Sequence, residues 1–84
     1  MHVFLQHAPI GTERAHYLEL TLVPDLFGSW ELLLQSGPVG GRARLRRQQY
    51  DTRAEAQAAF DKARDAELRR GYQIIERLPQ GRTP

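Results

Sequence analysis

The sequence predicts an α+β fold: a small antiparallel sheet of four to five strands with one α-helix, about residues 53–70, packed on one face. Three observations predict it. Between His16 and Val23 the chain alternates, with Leu18, Leu20 and Leu22 to one side and Tyr17, Glu19 and Thr21 to the other, the two-residue period of a half-buried strand. Trp30, Leu32 and Leu34 repeat that period just after a turn. From Thr52 to Arg70 neither proline nor glycine interrupts the chain, and its small apolar residues recur at three- and four-residue spacing.

Taken in order, Val3 to His7 reads as a short first strand, ended by Pro9 and Gly11. The second strand, His16 to Val23, stops at Pro24-Asp25, and Asp25-Leu26-Phe27-Gly28 makes a turn. The third carries Trp30, Leu32 and Leu34 on its buried face, with Glu31, Leu33 and Gln35 opposite. Ser36-Gly37-Pro38-Val39-Gly40-Gly41 reads as a glycine-rich reversal, and Arg42 to Tyr50 as a further extended segment. Thr52 and Glu55 then form the S/T-x-x-E start signal of a helix, in which each side chain satisfies the other residue's backbone N–H. Ala56, Ala59, Phe60 and Ala63 share one helical face; alanines let the helix lie close on the sheet, and Phe60 anchors it against Trp30 and the leucines. Gly71 ends the helix as its C-terminal cap, with Arg69 and Arg70 set favourably against the dipole. Tyr72 to Leu78 reads as a last edge strand, and Pro79 to Pro84 as a frayed tail, leaving residues 1–78 as one domain and 79–84 as a flexible end.

Composition bounds the function. A chain of 84 residues supports one modest core and has no material for a lidded, multi-step active site. With no cysteine, disulfides, thiolate nucleophiles, zinc ribbons and iron–sulfur ligation are excluded. No apolar run reaches the ~18–20 residues that cross a bilayer, and the N-terminus lacks a signal-peptide pattern, so the expected address is the cytoplasm. The net charge of +2 is too small to argue for nucleic acid by itself. Lys62 is the only lysine, however, so eleven of the twelve basic residues are arginines, whose forked guanidinium suits phosphate.

The pieces Tyr17-Leu18-Glu19-Leu20, Pro24-Asp25-Leu26-Phe27-Gly28-Ser29-Trp30, Gly37-Pro38-Val39-Gly40, Ala59-Phe60 and Gly71-Tyr72, in this order, resemble the WGR domain, especially its short stand-alone bacterial members. The resemblance spans roughly residues 2–75. It implies an antiparallel sheet with a packed helix and an ability to bind nucleic acid; in DNA-dependent poly(ADP-ribose) polymerases such a module contacts DNA at a break. The family's Trp-Gly-Arg triplet lines up here with Ser36, Gly37 and Pro38, followed by Val39 and Gly40. The tryptophan and arginine that carry much of the family's DNA contact are therefore absent, and Glu67 stands where the family often has a lysine. The resemblance carries the fold but not the DNA-end mode of binding.

The sharpest local signal is Arg42-Ala43-Arg44-Leu45-Arg46-Arg47. On a strand Arg42, Arg44 and Arg46 project from one face and Arg47 from the other, a cationic row of about 13 Å at ~3.3 Å per residue that matches successive phosphates. The same charges also suit a solvated edge strand that resists edge-to-edge aggregation. His2, His7 and His16 do not stand at metal-ligand spacing, and no metal or cofactor is expected. Nothing in the chain forms a nucleophile elbow, a phosphate loop or a carboxylate pair at catalytic spacing, so no enzyme is expected. Two functions fit: a non-catalytic module binding nucleic acid weakly and without sequence preference through Arg42, Arg44, Arg46 and Arg47, or a protein-interaction module using the Ser36–Gly41 loop and an open sheet edge.

Overall fold

The computed structural model describes residues 1–7 and 14–75. The expected break at Pro9 and Gly11, the end of the last strand at Glu76 to Leu78 and the tail 79–84 lie outside them. Strands β1 (His2–His7), β2 (His16–Pro24), β3 (Trp30–Pro38) and β4 (Arg44–Tyr50) precede helix α1 (Arg53–Arg69) and a two-residue strand β5 (Gln73–Ile74). They form one antiparallel sheet in the order β4-β3-β2-β1-β5. This is the α+β architecture that the alternation and the helix signal predict.

Register fixes which residues face the helix. Leu18, Leu20 and Leu22 stand opposite Ser36, Leu34 and Leu32, while Val3 and Leu5 stand opposite Leu20 and Leu18. One inner face thus collects Leu5, Leu18, Leu20, Leu22 and Leu32, all buried, and α1 covers them with Ala56 and Phe60, its two buried residues. Trp30, Leu34, Ala59 and Ala63 pack partly buried around this core. The guanidinium of Arg53, the first residue of α1, lies 5.5 Å from the centroid of the Trp30 ring, so the helix begins beside β3.

Both helix ends are made as their residues dictate. Thr52 Oγ1 accepts from the Glu55 N–H at 3.1 Å, one half of the expected reciprocal pair. At the other end Gly71, at φ +100°, lets its own N–H reach Leu68 C=O and the N–H of Tyr72 reach Glu67 C=O, a Schellman closure. That closure swings Tyr72 against His7 on β1, with ring centroids 5.3 Å apart. The helix therefore starts beside Trp30 on β3, and the residue that follows its closing turn meets β1.

Two expectations are corrected. Ser36, Gly37 and Pro38 are not part of a reversal: they continue β3 opposite Leu18, Tyr17 and His16, and the turn is confined to the residues after them. Proline is tolerated there because the Val39 N–H bonds Ala15 C=O, which by antiparallel alternation turns the Pro38 nitrogen to the side where β4 has not begun. Arg42 is likewise not in the strand, which opens at Arg44. The chain before β4 folds tightly over β3, since a Cβ on Gly37 would meet the Arg42 carbonyl oxygen at 2.6 Å.

Candidate nucleic-acid interface

The arginine row splits between two faces. Arg44 and Arg46 stand opposite Ser36 and Leu34, on the helix side of the sheet, whereas Arg47 stands opposite Leu33 on the outer side. Arg42 precedes the strand. All four side chains are exposed, and none meets a carboxylate within ion-pair distance among the described residues. The ion pairs found there are His2–Glu19, Arg64–Asp61, Arg64–Asp65 and Arg70–Glu67.

On β4 the usual inside-apolar pattern is inverted. Leu45, on the outer face, is 54% exposed, while Arg44 and Arg46 occupy inner positions that elsewhere in the sheet hold leucine. Arg44 and Arg46 are nevertheless exposed, because the corner they form with Ser36 opens to water. Charged groups placed there keep their hydration.

That corner is concave. A pocket of about 240 Å³ has Leu18 and Leu34 as its floor, Ser36 and Arg46 on the sheet side, and Ala63, Glu67, Arg70 and Tyr72 on the helix side. A more open one of about 350 Å³ continues from it toward the turn, bounded by His16, Pro38, Arg42 and Arg44, and shares Ser36 and Tyr72 with the first. Arg70 was legible in the sequence only as a helix-dipole partner; the Schellman closure brings it across from Arg46. No sequence pattern marks Arg14. Its Nη1 would be 3.0 Å from a Cβ on Gly41, so it stands beside the same turn. Among the described residues the one acid in the groove is Glu67, whose Oε2 lies 3.5 Å from Arg70 Nη1, a weak pair because the Arg70 side chain is 72% exposed.

The other regions differ in chemistry. On the outer face Phe4 stacks on Tyr17 at 5.5 Å, Gln35 donates to Tyr17 Oη, and His2 pairs with Glu19 at 2.6 Å. At the β2–β3 tip Asp25 Oδ1 accepts from the N–H groups of Phe27 and Ser29, and its Oδ2 accepts from Gln49 on β4. The N–H of Phe27 first, then those of Ser29 and Gln49, hold the Asp25 carboxyl below the usual carboxylate range against the opposing effect of desolvation. The turn this carboxylate locks holds Leu26 and Phe27 95% and 88% exposed. No helix among the described residues is long and apolar enough to cross a membrane.

The family model of the WGR domain matches residues 1–78. No individual curated protein and no solved structure matches the chain.

Proposed function

The chain belongs to the WGR domain family, and from that premise we propose that it is a non-catalytic module that binds nucleic acid weakly through phosphate, using Arg42, Arg44 and Arg46, while Arg47, on the outer face, takes no part. The observation that carries this reading is the free state of those guanidinium groups. They are exposed and meet no carboxylate among the described residues, although Asp61, Asp65 and Glu67 on the helix pair with other arginines. A cation without an internal partner keeps its full attraction for an external one.

Phosphate contact of this kind is insensitive to base sequence and strongly sensitive to salt. Fluorescence anisotropy with single-stranded and nicked double-stranded oligonucleotides, from low to moderate salt, tests it. Three or four neutralised phosphates give a log–log salt slope of about −2 to −4. Absence of binding even at about 50 mM salt removes the reading.

A second reading, a protein-docking module, is favoured by two features. β4 is an outer strand of the sheet, open for a partner strand to add on. Leu26 and Phe27 are held outward on a locked turn. That reading takes over if nucleic acid does not bind.

A further inference from the structure

We propose that the corner between β4 and the end of α1 is a groove for a single strand of nucleic acid rather than for a duplex, with phosphates taken by Arg44, Arg46 and Arg70 and a base laid against Tyr72. This rests on the nucleic-acid reading above and narrows it to one ligand form and one face of the sheet.

The first ground is charge on both sides of one cleft. Arg46 lines the sheet side and Arg70 the helix side of the inner pocket, and Arg42 and Arg44 continue the cationic wall into the outer one. A polyanion that meets all of them lies between the walls, not across their tops. The second ground is size. The two pockets, about 240 and 350 Å³, share Ser36 and Tyr72 and so form one continuous channel. A flexible strand threads such a channel, whereas a stiff duplex meets a corner walled by a helix only with its outer surface.

The third ground is the ring. Tyr72 borders both pockets and is braced by His7 at a 45° tilt and by the Schellman closure behind it. Base faces are available to an aromatic ring in a single strand and are covered in a duplex. Glu67 opposes the ligand, because its carboxylate stands in the same wall and engages Arg70. An incoming phosphate competes with that carboxylate for Arg70, which keeps affinity modest.

Arg47 supplies the internal control. It lies on the outer face and contributes nothing to the groove. The test is anisotropy with a labelled oligodeoxythymidylate of about 12 nucleotides, alone and annealed to its complement, at about 50 mM salt. The single strand is expected to bind about tenfold tighter than the duplex, and Tyr72→Leu to lose about tenfold of that affinity. Arg46→Gln and Arg70→Gln are each expected to weaken binding about threefold or more, and Arg47→Gln by less than about twofold. Should Tyr72→Leu fail to fold by circular dichroism, the exposed arginine variants decide alone. A duplex that binds as tightly as the strand, or an Arg47→Gln loss equal to that of Arg46→Gln, overturns the groove and leaves general phosphate binding standing. If neither form binds, both readings fall.

Discussion

Phe60 is the side chain on which the groove's helix wall depends, and Phe60→Ala is the perturbation that shows it. Only Ala56 and Phe60 of α1 are fully buried, and Ala56 presents a single methyl group. The aromatic ring thus supplies most of the helix's hold on Leu20, Leu22 and Leu32. Phenylalanine-to-alanine changes in cores cost about 3–5 kcal/mol, and a neighbouring alanine that cannot lean into the hole keeps this one near the middle or top of that range. At ~0.05–0.15 kcal/mol per residue, a chain of 84 residues has about 4–13 kcal/mol in all. A loss of about 4 kcal/mol therefore removes a third or more of the stability and lowers the melting temperature by roughly 16–32 °C. Thermal denaturation followed by far-UV circular dichroism measures it, with Phe60→Leu as the milder companion. A Phe60→Ala loss below about 1 kcal/mol would refute the reasoning, since the helix would then be held by something other than its buried face.

Three further outcomes follow from particular contacts. Gly37→Ala should destabilise by about 1–3 kcal/mol in a urea titration, because the added Cβ meets the backbone oxygen of Arg42 at 2.6 Å and backbone yields less than a side chain. Glu67→Gln should raise single-strand affinity about two- to fivefold by removing the only carboxylate among the described residues that lines the inner pocket; unchanged affinity would place the ligand elsewhere. Asp25 has a folded pKa depressed by the N–H groups of Phe27 and Ser29, so its contribution is fully present above the unfolded value of about 3.9 and is lost as pH falls through the lower folded value. The amides of Phe27 and Ser29 should lose hydrogen-exchange protection in that acid window before the strands do, and Asp25→Asn should abolish that pH dependence.

The fold was legible because its signals are local. Leu18, Leu20 and Leu22 declare a strand and its buried face by period alone, and Thr52, Glu55 and Gly71 mark the ends of the helix by satisfying backbone groups at known offsets. What misled was glycine and proline. Ser36-Gly37-Pro38 carries the composition of a turn, yet a strand that has lost its neighbour on one side accepts proline, and a glycine marks a close approach of the backbone as well as a turn. Arg42, read as one more step of the strand, sits in that close approach. The arginine row was legible as a period-two pattern, including the separation of Arg47 from Arg44 and Arg46. Its place against the helix end was not, because Arg70 and Tyr72 are 24 to 28 residues beyond Arg44 and Arg46 in sequence and arrive only through the closure at Gly71.

That closure is what separates the two meanings of the arginines. An edge strand gains from charge on either face, and inward-pointing charges are among the devices that keep edges from pairing. Edge protection accounts for Arg44, Arg46 and Arg47 alike, and asks for nothing on the far side of a gap. The helix end nevertheless presents Arg70 and the ring of Tyr72 across from Arg46, over a floor of Leu18 and Leu34. Like charges on facing walls repel, so their approach costs free energy that an edge-blocking device would avoid. Glu67 offsets part of that cost at Arg70, and an anion between the walls turns the remainder into attraction. The inner-face arginines thus answer to a ligand in a way that Arg47 does not, and the contrast between Arg46→Gln and Arg47→Gln separates binding from edge protection within one strand.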